Sequence, residues 1–184
     1  MITKLMFCLL GLMFISAVAS AQEMRNPTAI GPHFGWYKAK DADDGKPMFG
    51  GALRMKLTNA LGFEGSIDYR QEEYRSGSIV ARTWPVLLTG LFYPTPNIYG
   101  AAGVGWYNSQ IEFKKDLAQR DDKSSQEFGW HFGAGLEIPL SERVMINTDF
   151  RYTFLNYDFG EVPGAGEISS DFFAVTAGLL FVIN

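Results

Sequence analysis

The chain has 184 residues, of which 47% are hydrophobic; 16 Lys and Arg stand against 20 Asp and Glu for a formal charge of -4. That length is enough for one domain, and the mild acidity lacks the basic patch that nucleic-acid binding calls for. The single cysteine, Cys8, excludes an intrachain disulfide.

After Met1 to Lys4, an apolar run extends from Leu5 to Val18 and ends in the small residues Ala19, Ser20 and Ala21. A positive start, an apolar core and a small-x-small site predict a secretory signal peptide over residues 1–21, cleaved after Ala21. The run is shorter than the ~20 residues of a spanning helix. Its removal takes Cys8 away and leaves residues 22–184 as the working domain, without thiol chemistry. No later segment is apolar for long enough to span as a helix, so a membrane location requires a closed barrel, because hydrocarbon tolerates no unpaired sheet edge.

The remaining chain divides into eight predicted strands. In the first, Thr28 to Lys38, Ile30, Phe34 and Trp36 share one face, and Gly31, His33, Gly35 and Tyr37 the other. The second, Pro47 to Leu57, sets Phe49, Leu53, Met55 and Leu57 against Met48, Gly50, Ala52, Arg54 and Lys56. The third, Leu61 to Glu72, sets Leu61, Phe63, Ile67 and Tyr69 against Glu64, Ser66, Asp68 and Arg70. In the fourth, Ser78 to Tyr93, Pro85 lacks a ladder donor and predicts a local break, a bulge or an unusually placed register. The fifth, Ile98 to Phe113, opens Gly100-Ala101-Ala102-Gly103-Val104-Gly105, which suits a crowded wall.

The sixth and seventh strands alternate most strictly. Phe128, Trp130, Phe132, Ala134, Leu136 and Ile138 oppose Gly129, His131, Gly133, Gly135 and Glu137; after a short turn, Val144, Ile146, Thr148, Phe150, Tyr152 and Phe154 oppose Met145, Asn147, Asp149, Arg151 and Thr153. The eighth, Asp171 to Ile183, puts Phe173, Val175, Ala177, Leu179, Phe181 and Ile183 together. These runs are long for soluble strands and suited to crossing a bilayer at a tilt. The connections after strands two, four and six are short, and Lys114 to Ser124 and Asp158 to Ser170 are long and polar. Short turns on one rim and variable loops on the other predict an all-β, eight-stranded antiparallel up-and-down transmembrane barrel, with both chain ends on the periplasmic rim.

These features resemble the small eight-stranded outer-membrane β-barrel family that includes outer membrane protein X and the membrane domain of outer membrane protein A. The likeness rests on NIYGAAGVGWYN, on EFGWHFGAGLEIPLSERVMINTDFRYTF and on SDFFAVTAGLLFVIN, and covers residues 28–183. That family's last strand often ends in phenylalanine, whereas this chain ends Phe181-Val182-Ile183-Asn184. The resemblance implies the cell outer membrane, contact with its lipids and lipopolysaccharide, assembly through periplasmic chaperones and the barrel-assembly machinery, and a monomer.

The charges predicted to face the lumen are Arg54, Lys56, Glu64, Asp68, Arg70, Glu137, Asp149 and Arg151, four of each sign. An eight-stranded barrel is barely wide enough for its own side chains, so a packed, mutually neutralising polar core is expected. A narrow path for ions or small solutes is the alternative. His33 and His131 match no zinc spacing, and His131 is not followed two residues on by serine as in lipid A deacylases. No metal, cofactor or catalytic residue is therefore expected, and a lipid A-modifying enzyme is a distant alternative. Trp36, Tyr37, Tyr74, Tyr93, Tyr99, Trp106 and Tyr107 lie toward strand ends, where interfacial rings are expected. Lys114, Lys115 and Arg120, on an external connection, are candidate contacts for lipopolysaccharide phosphates.

Overall fold

The computed structural model describes residues 27–40, 44–74, 79–113, 123–155 and 171–183. Eight strands follow one another in chain order: β1 Thr28–Ala39, β2 Lys46–Lys56, β3 Leu61–Tyr74, β4 Ile79–Phe92, β5 Ile98–Phe113, β6 Lys123–Pro139, β7 Val144–Phe154 and β8 Phe172–Val182. Each pairs antiparallel with its neighbours, and β8 returns to β1, so the sheet closes and has no edge. The expected signal peptide lies outside the described residues, as do Lys114, Lys115 and Arg120.

Alternation decides which way each side chain points. Every strand puts a large apolar residue on the outside, among them Phe34, Phe49, Ile67, Leu88, Trp106, Phe132, Phe150 and Phe181. Such a belt around the whole wall far exceeds the apolar patches of soluble monomers and is matched by hydrocarbon. The outer rings pack on one another: Trp130 stacks on Phe154 at 4.1 Å between centroids, and Tyr69 sits between Phe49 and Trp84 at 5.2 and 5.5 Å.

One rim carries the short turns, and each uses a hydroxyl to satisfy donors that the ladder leaves over. Thr58 Oγ1 accepts the amides of Ala60 and Leu61 at 3.1 and 2.9 Å, Thr95 Oγ1 accepts that of Ile98 at 3.1 Å, and Ser141 Oγ that of Arg143 at 3.3 Å. The described chain ends meet at this same rim, where the Ile183 amide donates to the Thr28 carbonyl at 2.9 Å.

One expectation holds in part and one needs correction. Of the outcomes expected at Pro85, the local break is present on the β3 side, where pairing skips from Ile67 with Val86 to Arg70 with Thr83. There is no bulge or shifted register: the register is the same on both sides of that gap, and on the β5 side Pro85 pairs with Tyr107 in an unbroken ladder. The missing N–H removes ladder bonds locally without shifting the strand. The second concerns aromatics. Trp36 and Trp106 do face outward, but Tyr37, Tyr93, Tyr99 and Tyr107 are buried inside the barrel. Their parity is that of His33, Leu91, Ala101 and Gly105, and it overrides their nearness to strand ends.

Candidate functional site

The inward faces converge on a polar core whose centre is a ring of charges. Arg54 and Glu64 are direct partners in the β2–β3 register, and Arg54 Nε and Nη2 donate to Glu64 Oε2 at 2.9 and 2.5 Å. Glu64 Oε1 reaches across the lumen to Arg151 Nη2 at 2.6 Å. Arg151 grips Asp149, two residues back on the same face of β7, through Nε at 2.9 Å and Nη2 at 3.0 Å. Asp149 closes the ring on Arg54 Nη2 at 3.6 Å. A tail leaves it: Arg54 Nη1 donates to Glu137 Oε2 at 3.0 Å, and Lys56 Nζ meets Glu137 Oε1 at 2.6 Å.

Signs alternate along this path, Lys56, Glu137, Arg54, Glu64, Arg151 and Asp149, so its six charges cancel. Arg54, Glu64, Glu137 and Asp149 are each at most 4% exposed. Burial at that depth is tolerable only with such pairing and with the remaining donors and acceptors satisfied. Neutral side chains complete the set. Tyr93 OH donates to Glu137 at 3.1 Å, Tyr99 OH donates to Asp149 and accepts from Arg54, and Thr89 Oγ1 accepts from Arg151 Nη1 at 3.3 Å.

The other two expected members lie apart. Asp68 pairs with His33 rather than with an arginine or lysine of the ring. Arg70 sits farther toward the loop rim, its guanidinium 3.9, 5.2 and 5.4 Å from the ring centres of Phe172, Tyr107 and Tyr37. Cation–π contact there forms a second layer across the lumen. Between the layers lies a cavity of about 40 Å³ bordered by His33, Ser66, Asp68, Asn147, Thr153 and Thr176, sized for a water or two.

A single device builds much of this interior. Three polar pairs span two strands each by passing over a glycine of the strand between. His33 and Asp68 flank Gly50. Thr89 and His131 flank Gly103 and are 2.9 Å apart, and Tyr99 and Asp149 flank Gly135. A Cβ at Gly50 or Gly103 would lie 2.8 Å from the imidazole Nε2 above it. In a tube this narrow, a side chain reaches its partner only if the strand between presents none.

Sequence reading missed Thr89, Tyr93 and Tyr99 as members of the network. Parity identifies Tyr99 once Ala101 and Gly103 are taken as inward; the continuous apolar run in β4 hides the parity of Thr89 and Tyr93. Among the described residues no three of His, Cys, Asp or Glu gather as a metal-ligand set.

A closed eight-stranded barrel with an apolar wall and a charge-paired interior has the build of an outer-membrane barrel protein. A family model described as outer membrane protein beta-barrel domain matches residues 7–181, and the chain belongs to that family. Among characterised relatives, the 25 kDa outer-membrane immunogenic protein of Brucella melitensis is 28% identical over 169 residues, which cover 80% of this chain and 74% of that protein. The N-terminal β-barrel domain of OprF from Pseudomonas aeruginosa superposes with a TM-score of 0.56 at 13% identity, over 86% of this chain and 100% of that domain. A major outer membrane protein of Thermus thermophilus superposes with a TM-score of 0.63 at 13% identity, over 87% of this chain and 100% of its own. These structural likenesses share the fold.

Proposed function

We propose that the protein is a structural, surface-interaction barrel without enzymatic activity, exported through a signal peptide over residues 1–21 and standing as a monomer, short turns toward the periplasm and long connections toward the cell surface. The observation that carries this reading is the filled lumen: a neutralised charge ring below, Arg70 among three rings above, and about 40 Å³ between them. Among the described residues, an interior so occupied favours neither a substrate cleft nor a continuous water path. Contact then falls to the lipid-facing wall and to the external connections. Lys114, Lys115 and Arg120 are the cations assigned to lipopolysaccharide phosphates. The description of the Brucella relative as immunogenic supports exposure at the cell surface. Periplasmic chaperones and the barrel-assembly machinery are the partners during biogenesis.

The test is planar-bilayer recording of the purified barrel. The expected trace stays at the bare-membrane level, whereas a stable channel that responds to substitution of Asp149 or Arg151 overturns the reading in favour of a pore. One observation favours that second reading: Arg54 has Glu64, Glu137 and Asp149 all within 3.6 Å, so its guanidinium can change partners without losing a counter-charge.

A further inference from the structure

The outer wall has a dent. A groove of about 400 Å³ lies across β3, β4 and β5 beside the turn at 57–60, bordered by Leu61, Phe63, Gly90, Phe92, Gly100 and Ala102. The register explains its shape. One outward row runs Phe63, Gly90, Ala102, Phe132, and the next row toward the turn runs Leu61, Phe92, Gly100, Ala134. Rings therefore wall a floor of glycine and alanine.

Among the described residues nothing requires that floor to be bare. A Cβ at Gly100 would meet no atom within 4 Å, and at Gly90 its nearest neighbour is the Ala102 carbonyl at 3.6 Å. The lumen glycines differ, since a Cβ at Gly129 would lie 2.9 Å from the ring of Tyr107. Glycine weakens a strand, and at positions 90 and 100 the only space it opens faces outward.

We propose that this groove holds an acyl chain of a periplasmic-leaflet phospholipid. The inference rests on the lipid-facing reading of the outer wall and on the turns marking the periplasmic rim. The groove is continuous with the apolar belt, so hydrocarbon is what it meets, and it lies at the turn rim, the periplasmic leaflet's side. Neither flanking turn, 57–60 or 93–97, carries a charged residue, so the chain rather than the headgroup supplies the recognition. A second copy is a poorer occupant. A two-fold contact sets the same patch against itself, and two hollows do not fill one another.

The experiment is methyl NMR of the barrel in zwitterionic phosphatidylcholine nanodiscs, one copy per disc, doped with phospholipid carrying a nitroxide at mid-chain. Broadening at Leu61 is compared with that at Leu179, an outward leucine on β8 in the opposite wall. The expected result is a severalfold excess at Leu61 that is lost in Gly90→Leu/Gly100→Leu, a variant that fills the groove without an internal clash. Equal broadening at the two leucines overturns the groove while leaving the membrane wall intact. Absence of broadening at Leu179 as well overturns the lipid-facing reading itself. An excess that persists in the filled variant, or that arises only in larger discs holding two copies, also overturns the proposal, the latter in favour of a dimer contact.

Discussion

Replacing Arg54 with Met keeps an unbranched apolar stem of about the length of arginine's own and deletes the guanidinium at the junction of ring and tail. Its bonds to Glu64 at 2.5 and 2.9 Å and to Glu137 at 3.0 Å are lost. Removing one partner of a buried ion pair costs about 3–5 kcal/mol, because an uncompensated charge remains in a medium that solvates it poorly. Here neither carboxylate is stranded: Glu64 keeps Arg151 and Glu137 keeps Lys56, each at 2.6 Å. The cost therefore falls at the low end of that range, about 3 kcal/mol. Urea unfolding of the barrel in phospholipid vesicles, followed by tryptophan fluorescence, measures it. The double variant Arg54→Met/Glu64→Gln should fall short of the summed single losses by about 0.5–3 kcal/mol, the signature of groups in contact. Conductance should stay at the bare-membrane level throughout, since Arg70 and its three rings still cross the lumen above. A variant within about 0.5 kcal/mol of the parent, as for an exposed site, together with additive losses, would refute the reasoning.

Two glycines of one strand should respond in opposite senses. Gly103→Ala meets His131 Nε2 and the Thr89 Cα at 2.8 Å and should cost about 1–3 kcal/mol, while Gly100→Ala, in open space, should be neutral or stabilise by up to about 1 kcal/mol in the same unfolding assay. Phe132→Arg, on the outer wall, should destabilise by about 2–4 kcal/mol in bilayers if it sits near the midplane; a change of no more than about 0.5 kcal/mol would mark a water-facing surface. Pro85→Val restores a ladder donor in an unshifted register, so amide exchange should show a protected N–H at position 85 and a gain of about 0.5–1.5 kcal/mol.

Most of the barrel was legible from period-two alternation, because each strand meets hydrocarbon on one side and a narrow polar lumen on the other. The expected bounds of β1, β2, β5 and β8 lie within a residue of the observed ones. Those of β4 are as close, and β3 runs two residues past its expected end; the widest departure is β6, whose outward apolar run starts at Phe128 but whose pairing with β5 begins at Lys123. Alternating apolarity reports the part of a strand that faces hydrocarbon. Beyond it, Ser124, Ser125 and Gln126 still pair with β5, held by backbone bonds that polar residues make equally well.

The lumen was legible only to the level of which residues face it. Eight charges of balanced sign admit many pairings, and alternation says nothing of how far one strand is staggered against the next, which sets their heights. That is why Asp68 could not be assigned to His33, nor Arg70 to its rings, from the chain alone. Once the register is known, the glycines remove much of the ambiguity. Gly50, Gly103 and Gly135 each mark a bare spot over which the residues on either side must meet, and those residues are His33 with Asp68, Thr89 with His131, and Tyr99 with Asp149. The ring then follows from the two steps that are not bridged in this way. Arg54 and Glu64 are register partners, and Glu64 must look across the lumen for its second cation, because the neighbouring strand offers Thr89 at that height. Arg151 is the cation that fills this place, and it lies over Gly133, where a Cβ would stand 3.0 Å from its Cγ. The glycine-rich inner wall of β5 and β6 is therefore part of the charge network: it supplies the room in which long side chains from the other strands find their counter-charges.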